Sequence, residues 1–246
     1  MENPSYIALS QQVALRRQMD VIANNLANVS TPGFKAERIV FSEYLVNPPR
    51  TGTGAGSGRM SFVREIGMLR DTTEGAFIQT GNALDLAIHG RGYFVVETPD
   101  GLRYTRQSSF QLDPDGRIVT SQGFPLLDEN NRPLIVPPES GPIEVTPQGV
   151  VGTSEGEIGR IRLVTFTDEQ TMRKIGGGLY ESDEEPMDAD GTAEIHQGAV
   201  EGSNVQAILE VTNMIEIMRR YQSAQKILDT EHELERRAIE KLARAV

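Results

Sequence analysis

His89, His196 and His232 are the only imidazoles in the 246-residue chain, and they fall in three different segments. Acid–base or metal chemistry needs two or three such groups converging with carboxylates. Their spacing gives no reason for that, so all three read as ordinary surface or core residues. The absence of cysteine excludes a thiol nucleophile, a cysteine-zinc site and a disulfide framework. Asp113 and Asp115 open like a calcium loop, but the twelfth position, which needs a bidentate carboxylate, is Phe124. They read as turn residues. Gly90 and Gly92 lack the third glycine and following helix of a dinucleotide fingerprint. The glycines between Gly52 and Gly58 are not followed by the Gly-Lys-Ser/Thr of a phosphate loop. Two of the many acidic residues in the middle of the chain could converge as a catalytic pair, yet no spacing singles out which. No catalytic, cofactor-binding or metal-ligating set is therefore legible, and neither a cofactor nor a small-molecule substrate is expected.

The elements that would position any site point elsewhere. Asn3-Pro4 is a good helix start, with Asn as cap and Pro in the first helical position. From there Ala8, Gln12, Leu15, Met19, Ile22, Leu26 and Val29 recur at alternating spacings of four and three, a heptad seam. Ser30-Thr31-Pro32-Gly33 ends that helix. At the other end Ser203-Asn204-Val205-Gln206 has the form of a capping box. No Gly or Pro follows it, so the last 40 or so residues predict a rod of about 60 Å. Its seam reads Ala207, Val211, Met214, Met218, Tyr221, Gln225 and Leu228. Helices with one narrow apolar seam are weak alone and depend on burying it.

Between the helices the character changes. Residues 34–46 fit a short helix or a strand, and 47–58 has the Pro/Gly/Ser composition of a flexible linker. From about residue 75, short β-prone runs such as Tyr93–Glu97 and Leu134–Val136 alternate with turn chemistry such as Pro99-Asp100-Gly101. Residues 181–194 are acidic and read as a loop. The terminal segments are charge-balanced, so the middle carries the whole net charge of −11. That charge argues against nucleic acid and anionic membranes as partners. No stretch is apolar enough to read as a transmembrane helix. With Arg16 and Arg17 the first basic residues and Tyr6–Leu9 the longest early apolar run, no secretory leader is expected. The expected class is α+β: N- and C-terminal coiled-coil-forming helices bracketing an antiparallel β-rich domain. Its expected divisions are 1–45 (assembly helix and following segment), 46–74 (linker and extended segment), 75–200 (β-rich domain) and 201–246 (assembly helix).

Four segments carry a resemblance. Ala23-Asn24-Asn25-Leu26-Ala27-Asn28-Val29-Ser30-Thr31-Pro32-Gly33-Phe34-Lys35 resembles the N-terminal motif of the bacterial flagellar axial (rod, hook and hook-associated) protein family. Gly81–Phe94 is similar to that family's central motif, Tyr104-Thr105-Arg106 to the segment after it, and Gly202-Ser203-Asn204-Val205 to the start of its C-terminal helix. The resemblance runs the length of the chain and, within the family, is strongest to proximal-rod subunits.

It implies a structural subunit of the flagellar basal body whose terminal helices pair into an inner tube. The implied partners are copies of itself, other rod subunits and the flagellar type III export apparatus, with no cleaved signal peptide. The expected assembly interface is Leu15, Met19, Ile22 and Leu26 against Val211, Met214, Met218, Tyr221 and Leu228. Asn24, Asn25 and Asn28 are expected to form a polar ladder beside it, rather than merely cap the helix end. A distal rod or hook subunit is the nearest alternative. A cell-wall-active enzyme on a β scaffold and a coiled-coil stalk are the alternatives of other classes.

Overall fold

The computed structural model of the protein describes residues 3–46, 60–138, 140–189, 191 and 193–243. The linker expected at 47–58, and the capping side chains of Asn3 and Pro4, lie outside the described residues. The chain forms two compact units. One comprises Met1–Ala27, Glu37–Arg70 and Gln206–Val246, and the other Asn28–Ala36 and Asp71–Val205.

The first unit holds helix α1 (Asn3–Ala27), strands β1 (Glu37–Val46) and β2 (Met60–Arg70), and helix α2 (Ala207–Ala243). Residues 34–46, ambiguous in sequence, are strand because β2 offers a partner: β1 pairs with it antiparallel from Glu37↔Arg70 to Val46↔Met60, with a bulge at Val40/Phe41. Gln12 Nε2 donates to Gln225 Oε1 at 2.6 Å, while Leu15, Ile22 and Ile217 share one apolar cluster. Moving up α1 therefore moves down α2, and the two helices run antiparallel. Fully burying side chains of that size contributes about 1.5–3 kcal/mol each.

The capping box is not formed. Helix α2 begins at Ala207, and Ser203 Oγ instead accepts from the Val205 N–H at 3.2 Å. Asn204 and Val205 are held outside the helix by the contacts described below.

The second unit is β throughout, apart from a 3-10 turn at Glu169–Thr171. Its strands in chain order are β3 (Phe77–Gln79), β4 (Leu86–Gly90), β5 (Tyr93–Thr98), β6 (Gly101–Thr105), β7 (Phe110–Leu112) and β8 (Ile118–Thr120). Then follow β9 (Glu144–Val145), β10 (Val150–Thr153), β11 (Gly156–Arg160), β12 (Leu163–Thr165) and β13 (Arg173–Gly176). The last four are β14 (Leu179–Glu181), β15 (Met187–Asp188), β16 (Ala193–Gln197) and β17 (Ala199–Glu201). The main sheet has the order β13-β14-β6-β5-β12-β15, and its pairs are antiparallel.

Strand β5 is central. Phe94 and Val96 enter one core with Leu86, Ile88, Ile118 and Leu126, whereas Tyr93 and Val95 enter another with Val164, Phe166 and Tyr180. A strand buried on both faces needs no polar alternation, which is why Tyr-Phe-Val-Val is continuous.

Two sequence expectations change here. The acidic stretch 181–194 is not one loop, because the end of β14, all of β15 and the start of β16 lie within it. Its β pairing is carried by backbone partners such as Glu194↔His89 and Met187↔Thr165, which the acidic side chains do not obstruct. Leu134–Val136 forms no strand and makes only a single bridge, between Ile135 and Arg117.

Candidate assembly surface

Parts of all four segments that carry the family resemblance meet in the second unit, the first of them through residues 28–35. Lys35, five residues into the run that begins at Thr31-Pro32, extends its Nζ to Glu201 Oε1 at 2.6 Å and donates to the Thr73 carbonyl at 2.7 Å. Arg106, the end of Tyr104-Thr105-Arg106, places Nε 2.9 Å from Glu201 Oε2. Its remaining N–H groups donate to the carbonyls of Ile88, Gly90 and Gly92, all in the central motif. The Glu201 side chain is 0% exposed, and those of Lys35 and Arg106 are 2% and 3% exposed. One buried carboxylate thus answers two buried cations. Burial lowers the Lys35 pKa below its ordinary 10.5, with Arg106 adding to the effect and Glu201 opposing it.

Around this core the backbones come close. Gly33 has φ 69° and donates its N–H to the Glu201 carbonyl at 2.8 Å, and a Cβ there would collide with the Arg106 carbonyl. That fixes glycine at this place in the motif. Asn204 completes the clamp. Its Oδ1 accepts from the Ala36 N–H at 2.8 Å, and its Nδ2 donates to the carbonyls of Asp71 and Thr73 at 2.9 and 3.0 Å. Val205 packs with Phe34, Ala36 and Val29. The stretch that follows α1 in sequence and the stretch that precedes α2 are therefore fastened to each other.

In the first unit, the α1 seam faces inward from Ala8 to Leu26, but its last residue, Val29, lies beyond the helix end. Ala8, Gln12, Leu15 and Ile22 are buried, while Met19 and Leu26 are half-buried. On α2 every second seam residue shifts by one. Met214, Tyr221 and Leu228 face inward, but the positions between them are Glu210, Ile217 and Ala224. Val211 and Met218 are exposed at 43% and 47%, so within one chain they do not pack against α1 as expected. Residues three and four positions from a shared anchor flank it equally, and the heptad count alone could not choose between them.

The asparagines also take intrachain roles. Asn25 is buried and uses both ends of its amide on Glu37, accepting from its N–H at 3.0 Å and donating to its carbonyl at 2.9 Å. Asn28 closes the turn after α1, its carbonyl accepting from the Thr31 N–H and its Oδ1 from the Thr31 hydroxyl, both at 3.1 Å. Asn24 is exposed. With Asn25 and Asn28 engaged in this way, the three do not form a ladder within the chain.

Two of the histidines, distant in sequence, are neighbours. Pairing of β4 with β16 brings His89 and His196 to a ring separation of 5.8 Å, with Phe77 beside both. Glu74 lies 3.1 Å from His89 Nδ1. Among the described residues no group of three His, Asp or Glu is placed to hold a metal ion, and no helix is long and apolar enough to cross a membrane. Asp113 is the turn residue it was read as, accepting from the Asp115 and Arg117 N–H groups at 2.9 and 2.8 Å.

Three family models match the chain in order: flagella basal body rod protein over residues 6–35, the flagellar hook protein FlgE/F/G D1 domain over 87–153, and the flagellar basal body rod FlgEFG protein C-terminal over 196–241. The chain is 40% identical to the flagellar basal-body rod protein FlgF of Caulobacter vibrioides across 99% of both chains. It is 30% identical to that of Mesorhizobium japonicum, covering 93% of this chain and 92% of the relative. It is 34% identical to the flagellar basal-body rod protein FlgG of Bacillus subtilis, covering 93% and 95%. Each of the four segments is thus more than a marker of likeness, because within the second unit Gly33 and Lys35, the carbonyls of Ile88, Gly90 and Gly92, Arg106 and Asn204 build one clamp together with Glu201. With that geometry and likeness along its whole length, the chain belongs to the flagellar basal-body rod protein family and is a structural subunit of the rod.

Proposed function

We propose that this chain is a proximal-rod subunit that joins the rod through its terminal helices. The helices pair as coiled coils with those of neighbouring copies and of other rod subunits, and the assembled rod transmits torque. The chain leaves the cell interior through the flagellar type III export apparatus without a cleaved signal, and it catalyses no reaction. The observation that carries this reading is apolar surface left over after α1 and α2 have packed. Tyr6, Leu9 and Val13 on α1, and Ile208, Val211, Ile215 and Met218 on α2, stay exposed. Seven large apolar side chains on two helices are a standing incentive to associate. The 40% identity to a FlgF protein across 99% of both chains supports the proximal position.

Met218→Asp tests the reading. Because Met218 is exposed in the single chain, the variant should fold with unchanged circular dichroism yet fail to enter basal bodies, leaving cells non-motile. Normal motility in cells carrying Met218→Asp would overturn the proposal.

A further inference from the structure

Resting on the proposed polymerisation through the helices, we infer that the occupant of the exposed α1 stripe is the first half of α2 from a second copy, displaced along the helix pair. The two leftover stripes match. Along α1, Tyr6, Leu9 and Val13 are separated by three and then four residues; along α2, Val211, Ile215 and Met218 are separated by four and then three. Read antiparallel, the two patterns superimpose: Val13 against Val211, Leu9 against Ile215, Tyr6 against Met218. This is the alternation by which one helix seats its side chains between those of another.

Within one chain they cannot meet. Gln12 stands level with Gln225 and Ile22 packs with Ile217, so Leu9 and Ile215 lie about thirteen residues apart along the pair, roughly 20 Å at 1.5 Å per residue. A second copy displaced by that distance brings its α2 stripe onto the α1 stripe of the first. The contact is head-to-tail, and each copy keeps one stripe open for the next, which is the arrangement of an open filament rather than a closed dimer.

A cavity of about 500 Å³ continues the α1 stripe, lined by Val13, Ala14, Phe41, Tyr44 and Val63 among others. It lies on the side toward which the displaced copy would extend Ile208, the most exposed apolar residue of the α2 stripe at 83%. The residues of the two stripes are only about half-exposed otherwise, so one such contact is smaller than a self-sufficient interface. It becomes stable when repeated or joined by other contacts.

The chain has no native cysteine, so cross-linking reads this register cleanly. A disulfide needs Cα atoms within about 7 Å. Single variants Leu9→Cys and Ile215→Cys, mixed at high concentration and oxidised, should give a mixed dimer several-fold in excess of either homodimer. Leu9→Cys mixed with Ile227→Cys, an exposed α2 position outside the stripe, should not. The double variant Leu9→Cys/Ile215→Cys should form a ladder of joined chains, both in solution and in isolated basal bodies, and no intrachain loop. Assembly into basal bodies without the Leu9–Ile215 cross-link would overturn this register while leaving polymerisation through the helices standing. Failure of a reduced, otherwise folded variant set to assemble at all, alongside failure of the wild-type chain, would overturn both.

Discussion

Replacing Glu201 by Gln tests whether the buried clamp holds the second unit together. The carboxylate receives Lys35 Nζ and the Gly75 N–H on one oxygen, and Arg106 Nε on the other. An amide keeps the shape but turns one acceptor into a donor, and either orientation then faces a donor already in place. It also removes the only negative charge among three side chains that are almost wholly buried. Breaking a buried ion pair by removing one partner costs about 3–5 kcal/mol. With a urea slope of about 2 kcal/mol/M, the midpoint of unfolding should fall by roughly 2 M. Tyr93, Tyr104 and Tyr180 all lie in the core of this unit, so their near-ultraviolet dichroism reports its melting. Adding Lys35→Met to Glu201→Gln should recover part of the loss, since one of the two cations that faced Glu201 is gone and the other, Arg106, still has Glu74 at 3.9 Å. A loss below about 1 kcal/mol, the scale of a single ordinary hydrogen bond, or no recovery in the double variant, would show that the charges are not what fastens the segments.

Other expectations follow from the same geometry. Lys35 has a folded pKa below 10.5, so between the two values the unfolded chain binds the extra proton and stability rises with pH. Unfolding midpoints measured from about pH 8 to 10.5 should show a positive contribution that Lys35→Met removes. Ile217→Ala, in the buried cluster with Leu15 and Ile22, should cost about 2–5 kcal/mol in the first unit, whereas Met218→Ala should stay within about 0.5 kcal/mol by thermal melting. Asn204→Ala leaves the Ala36 N–H and the Asp71 and Thr73 carbonyls without that partner, and should cost about 1–3 kcal/mol in denaturant unfolding. Limited proteolysis of the dilute chain should release fragments of the terminal helices before it cuts the β unit, because the helices keep much apolar surface unpaired.

The parts of this fold that were legible in sequence are those set by local periodicity. The α1 seam needed only the alternation of four and three, and the run Tyr93–Glu97 announced a strand, though not its central place. Both depend on neighbours within a few residues. What the sequence withheld depends on partners far away. Lys35 and Glu201 are separated by 166 positions, and Arg106 and Glu201 by 95, and no spacing rule joins them. The choice of Ile217 over Met218, between the retained anchors Met214 and Tyr221, is decided by what α1 presents to α2. His89 and His196 became neighbours only through strand pairing. In the clamp, the family motifs held Lys35, Arg106 and Asn204 without revealing that they belong together, and the last motif began one residue after Glu201.

The clamp also turns the stretch from Asp71 to Asn204 into an excursion from a closed point, since Asn204 holds the Asp71 and Thr73 carbonyls. Once the two ends of that excursion are fastened, its length ceases to govern how the chain leaves α1 or enters α2. Closure entropy grows only slowly with loop size, by about 0.6 kcal/mol for each doubling. Sequence can therefore be added to or taken from the exposed turns between its strands at small thermodynamic cost, without disturbing the segments that flank the helices. A chain built this way can change those turns over evolutionary time while the entry and exit of the β unit stay where they are.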